Sequence, residues 1–154
     1  MATRSTIALE FADGTVQQVY CHWDGYLEHN GQILLQHYSN PFILRDLIDQ
    51  GAISSLGPKV GTKHPFSKFE TKEPYDEKLY EDMTTFYARD RGEDLVKNTF
   101  KDYEDYRKNA QSEEYNYILR RDGKWYVEFY GEFDGLLEQA IMDEQDRKAQ
   151  EEMA

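Results

Sequence analysis

Only one cysteine, Cys21, occurs in the 154 residues, which leaves no intramolecular disulfide framework and no zinc site built of several thiolates. No apolar run approaches the roughly 20 residues that span a bilayer. The opening, MATRSTIALE, lacks the basic-then-apolar layout of a signal peptide. Bases are scarce: 18 Lys and Arg stand against 30 Asp and Glu, a net charge of −12. Nucleic-acid binding needs a positive surface that displaces phosphate counterions, and the densest basic stretches, Arg89 with Arg91 and Arg120 with Arg121, are each hemmed by acids. Direct contact with DNA or RNA is disfavoured, and anionic lipid would be repelled. No phosphate-cradling glycine loop, serine elbow or paired-histidine zinc motif is present. These absences lead us to expect a soluble protein of the cytoplasm without cofactor, metal ion, membrane contact or an assignable catalytic residue, and they lean away from an enzyme.

What is present is aromatic and acidic. Twelve Tyr, eight Phe and two Trp are incompatible with a solvated disordered chain, and the length suits one domain, 1–154, with a single core. Residues 111–154 hold 12 acids and 5 bases, more than half of the net charge. Such a surface favours basic protein partners, including surfaces that ordinarily hold nucleic acid.

Residues 4–11 alternate with period two, the pattern of a half-buried strand, and Asp13-Gly14 is a favoured two-residue turn. That turn predicts a hairpin with Phe11 opposite Val16, Leu9 opposite Gln18, Ile7 opposite Tyr20 and Ser5 opposite His22. A helix is predicted from Leu27 to Tyr38, and another after the cap Asn40-Pro41, stopped by Gly51. Residues 52–82 read as a surface excursion with a short strand near 65–69. Met83–Arg89 reads as a strand, Leu95–Phe100 as a strand or helix start, and 101–111 as a solvated helix. Asp122-Gly123 predicts a second hairpin, with Leu119 opposite Tyr126 and Tyr117 opposite Glu128. A helix is expected from Phe133, its acidic tail 143–154 frayed. The order predicts an α+β fold: an antiparallel sheet built around two β-hairpins, with helices packed mainly on one face.

The strings ATRSTIALEFADGTVQQVYCHWDGYLEHNG, AISSLG, TTFYARDRGEDL and EEYNYILRRDGKWYV resemble a group of small proteins encoded by tailed bacteriophages. The resemblance carries no catalytic residue. It implies a phage protein made inside a bacterial host, and raises host-takeover and anti-defence roles, in which small acidic proteins block a host protein.

Several residues invite chemistry. Cys21-His22 pairs a thiol with an imidazole, but neighbours on a strand point to opposite faces, and a buried structural cysteine is the better reading. His22, Asp24, His29 and His37 include metal-ligand types, yet 29 and 37 lie two helical turns apart. His22, Trp23, Asp24 and Tyr26, with Arg89 and Arg91, could form the site of a small-ligand or nucleotide-binding protein or of a small enzyme: rings to stack on, a carboxylate, and arginine forks for an anion. Alternatively, 23–26 is a structural turn with Trp23 in the core, and 89–94 a solvated ion-pair loop. The C-terminal acids Glu138, Asp143, Glu144, Asp146, Glu151 and Glu152 could meet a basic patch on a host protein. Carboxylates three or four apart on a helix sit ~6 Å from one another and could imitate phosphates.

Overall fold

Strand β1 (Ser5–Glu10) is buried along its whole length, because its two faces enter two different cores and both of its edges are paired. The computed structural model, which describes residues 2–153, sets β1 antiparallel to β2 (Val16–Cys21) and parallel to β6 (Tyr115–Leu119). Outward from β2 come β3 (Ile53–Ser55) and β4 (Thr85–Phe86), while β5 (Asn98–Phe100) pairs with Val16–Gln18 of β2. Outward from β6 come β7 (Trp125–Phe129) and β8 (Phe133–Leu136). The fold is α+β, but its eight-stranded sheet is mixed, not antiparallel: β1–β6 and β2–β3 run parallel. A long crossover separates each parallel pair, so no tight turn forces the strands to reverse.

The helices are α1 (Gln32–His37), entered through a π-helical turn Leu27–Gly31, α2 (Pro41–Asp49), α3 (Glu77–Tyr80), α4 (Tyr87–Arg91), α5 (Tyr103–Asn109) and α6 (Leu137–Met153). Asn40 caps α2 by accepting from the Phe42 N–H, and Pro41 occupies the first turn. The main core places Ile7, Leu9, Val19, Tyr117, Leu119 and Val127 against apolar residues of α1, α2 and α6. A smaller core on the opposite face joins Ala8, Val16 and Ile118 to Phe100 and to Tyr106 of α5, so that face is covered as well. No helix among the described residues is long and apolar enough to cross a membrane.

Both predicted registers are wrong by one residue, for one reason. Ile7 faces Val19 and Leu9 faces Gln17; Tyr117 faces Val127 and Leu119 faces Trp125. The loops hold three residues, not two: Phe11 N–H donates to Thr15 O, and Arg120 N–H to Lys124 O. A two-residue type I′ loop would place Asp13 and Asp122 at positive φ, but only Gly14 (92°) and Gly123 (79°) lie there. Each aspartate instead accepts the N–H two residues on, from Thr15 and Lys124, which favours a right-handed turn followed by a left-handed glycine. Because strand side chains alternate, the slip moves Val16 and Tyr20 to the face opposite Ile7 and turns Trp125 and Val127 toward Tyr117.

Three other elements differ. Tyr130 and Gly131, at φ 55° and 69°, make the tight reversal that turns Phe133–Leu136 into a strand, so α6 starts at Leu137. The Asp90 carboxylate accepts the Phe86 N–H and ends β4 after two residues, sending Tyr87–Arg91 into α4. Residues 65–69 contain no strand.

A Cβ on Gly123 would touch nothing within 4 Å, so substitution there isolates the cost of positive φ. Gly123→Ala is expected to lose about 1 kcal/mol, read as a lower urea midpoint at unchanged slope, and Gly123→Asn less. A fully stable alanine variant would contradict this loop geometry.

Candidate functional site

The turn at 22–26 is held from several sides. Gly25 N–H donates to Thr3 O at 2.8 Å, and the Tyr117 hydroxyl donates to Gly25 O at 2.6 Å. A Cβ on Gly25 would stand 2.7 Å from the Ser5 Cβ, so only glycine fits. The buried Asn30 amide donates to Ser5 Oγ, Cys21 Sγ and Trp23 O. Cys21 lies in the main core, where burial pushes its thiol up to about 11, against lowering by its Asn30 and Ser5 contacts. His22 bonds the Tyr20 hydroxyl through Nδ1 at 2.7 Å, and His29 bonds Asn30. His37 is exposed at the end of α1. Among the described residues no group of three or more His, Cys, Asp or Glu side chains is placed to hold a metal ion. Trp23 and Tyr26 stand exposed beside Asp24, whose φ is 56°; Trp23 is therefore a surface ring rather than a core one.

Arg89 and Arg91, neighbours in sequence, have separate fates. The Asp90 carboxylate is fully buried and accepts from the backbone of His64 and Phe86 and from Arg89. Arg89 Nε and Nη2 hold Asp90, Nη1 holds the carbonyls of Val60 and Gly61, and Nη2 also holds that of Thr84. All five of its N–H groups thus have partners inside the chain. His64, buried with them, sets Nδ1 on Thr62 O and Nε2 on the Thr85 hydroxyl, its ring stacked on Tyr80. A donation to the Thr62 carbonyl places the proton on Nδ1. Arg89, Asp90 and His64 thus form a buried clasp that ties the excursion to β4 and α4, whereas residues 91–94 are exposed. In that exposed stretch Arg91 pairs with Glu70 and Glu93, as a solvated ion-pair loop would have it. It lines a shallow cleft with Lys63, His64 and Phe66, and none of His22, Trp23, Asp24 or Tyr26 borders that cleft.

The acids of α6 divide into two sets. Arg147 holds Glu144 and Glu151, and Lys148 holds Glu28 near the start of the π-helical turn. Glu138, Asp143, Asp146 and Glu152 are exposed, with Asp143 accepting from Gln139. The even spacing of charge that phosphate imitation needs is therefore interrupted. Burial along α6 ends with Ile141 and the half-buried Glu144; residues 145–153 are exposed throughout.

Sequence reasoning missed a cleft of about 450 Å³ where the two hairpin loops meet α2. Leu9 and Leu119 form its buried floor and Phe11, Pro41 and Phe42 its walls, with Arg45, Arg120 and Arg121 around it. Glu10, its side chain 2% exposed, accepts from Arg120 Nε and Nη2 and from the Arg121 backbone. Arg120 also lies 3.5 Å over the Tyr103 ring. The Arg45 and Arg121 guanidiniums make no hydrogen bond among the described residues; their nearest carboxylates, Asp49 and Glu10, stand 3.9 and 3.7 Å away. The one available signal was Arg120-Arg121 beside a hairpin turn. Its partners come from two distant segments, which periodicity does not connect.

Removing the Asp90 carboxylate leaves Arg89 buried and unpaired. Asp90→Ala is expected to cost about 3–5 kcal/mol in urea unfolding, whereas Arg91→Ala costs below about 1 kcal/mol; equal losses would contradict the clasp. The thiol supplies a second prediction. Below its unpaired value of 9.0, Cys21 is protonated in both folded and unfolded chains. Above 9.0 the unfolded chain loses its proton first, so stability falls with pH until about 11. The loss amounts to about 3 kcal/mol and should be absent in Cys21→Ala. At pH 8 the folded protein is expected to resist a thiol reagent that titrates one equivalent after unfolding.

Comparison with known proteins returns nothing: no family model matches the chain, and no match is found among the curated proteins or the solved structures.

Proposed function

We propose that the chain is a small acidic accessory protein that works by non-covalent binding to a host protein with a basic surface, in the host cytoplasm that its phage-like sequence implies. The observation that carries this reading is α6. A helix of 17 residues, Leu137–Met153, buries only its first turns and presents five acids against two bases beyond them. An unpacked helix end contributes little to its own stability in water; a partner would supply the missing packing and charge. The net charge of −12 would speed the encounter with a basic patch.

Salt sensitivity and charge reversal test the reading together. The tagged full-length protein is expected to retain one dominant host protein from lysate, released as salt rises and identified by mass spectrometry. The triple variant Asp143→Lys, Asp146→Lys, Glu152→Lys changes exposed positions only and is expected to lose that partner while keeping its melting temperature. Retention of nothing at moderate salt, or undiminished capture by the triple variant, would contradict it.

A further inference from the structure

The cleft at the hairpin tips has the opposite character to the rest of the molecule. Three arginines and one glutamate border it, on a chain of net charge −12. Glu10 is engaged by Arg120, which leaves Arg45 and Arg121 as positive charges without a hydrogen-bonded partner. Both are exposed, at 61% and 55% of the side chain. Beneath them is an apolar surface with an unusual feature: Phe42 is 76% exposed, although its neighbours Leu44, Leu47 and Ile48 on α2 are fully buried. The volume lies within the range of small-molecule sites.

The chemistry of the lining selects among ligands. Apart from Glu10 and the arginines, every side chain around the cleft is apolar. No amide or hydroxyl side chain is available to read the edge of a base or the hydroxyls of a sugar, and the one carboxylate is already hydrogen bonded. We propose that the cleft binds a small amphipathic carboxylate: an apolar chain or ring between Phe11 and Phe42, its head at the rim on the guanidiniums of Arg45 and Arg121. Guanidinium forks match carboxylate oxygens in geometry and charge, and the apolar walls bury the body. The site is independent of α6 and of any partner bound there.

Decanoate, titrated calorimetrically into the full-length protein, tests the assignment. One saturable site is expected, with amide shifts in ¹⁵N-correlated spectra confined to residues 9–12, 42–45 and 119–123. Decanol, which has the chain without the charge, and inorganic phosphate, which has charge without the chain, should each bind at least about tenfold more weakly. The double variant Arg45→Gln, Arg121→Gln should lose a similar factor for decanoate while leaving decanol unchanged, and Phe42→Ala should weaken both. None of these side chains is buried, and unchanged melting temperatures verify the fold of each variant. Absence of saturation, shifts elsewhere, decanol binding as tightly as decanoate, or an unaffected double variant would overturn the proposal. So would phosphate binding as tightly as decanoate, which indicates a plain anion site. Binding of a peptide with an apolar C-terminal residue, but not of decanoate, would overturn it in favour of a protein ligand.

Discussion

The parallel pairing of β1 with β6 joins segments 110 residues apart, and every other arrangement in the molecule follows from it. The two hairpins are each local, closed by a three-residue loop. Side by side they make a sheet only because Ser5–Leu9 match Tyr115–Leu119, and the match is locked at both ends. At one end the Thr6 hydroxyl donates to Asn116 Oδ1 inside the fold. At the other, Glu10 is buried against Arg120 and the Arg121 backbone. A buried carboxylate is tolerable only when paired and hydrogen bonded, so Glu10 specifies which arginine-bearing loop may lie beside its own. The hairpin-tip cleft is a product of that lock, since its floor comes from Leu9 on one hairpin and Leu119 on the other.

The chain between the hairpins then returns from β2 to β6 by a long route that adds the short strands β3, β4 and β5 to the sheet. Much of this crossover is irregular, and irregular backbone needs partners for its N–H and C=O groups away from any ladder. Side chains provide them. Arg89 takes three carbonyls, from Val60, Gly61 and Thr84; Asp90 takes two backbone N–H groups, from His64 and Phe86; Tyr38 donates to Gly57 O. The excursion is thus organised by a few buried polar groups more than by apolar area.

Composition, turn residues and helix caps were legible in the sequence because they are local. Asn40-Pro41 starts α2 and Gly51, at φ 83°, follows its end, as the spacing predicts. The registers were not legible, because Asp-Gly serves two loop types and only the aspartate side-chain bonds decide between them. Phe133, Leu136 and Leu137 fit a helical stripe as readily as a strand, and Tyr130 at positive φ, which redirects the chain, is not a residue that announces a turn. Arg89 and Asp90 stood out as a charged cluster, but their burial depends on carbonyls about 29 residues upstream that no pattern ties to them. The direction of β6 beside β1 had no sequence signature at all.

The acidic arm and the basic cleft occupy opposite poles. Leu119, at one end of β6, floors the cleft, whereas α6 runs back past Tyr115 at the other end, where Glu144 acts on the Tyr115 hydroxyl and Lys148 reaches Glu28. If α6 meets a basic partner as proposed, the hairpin tips lie at the far end of β6 from the contact. The cleft would then still face solvent after docking.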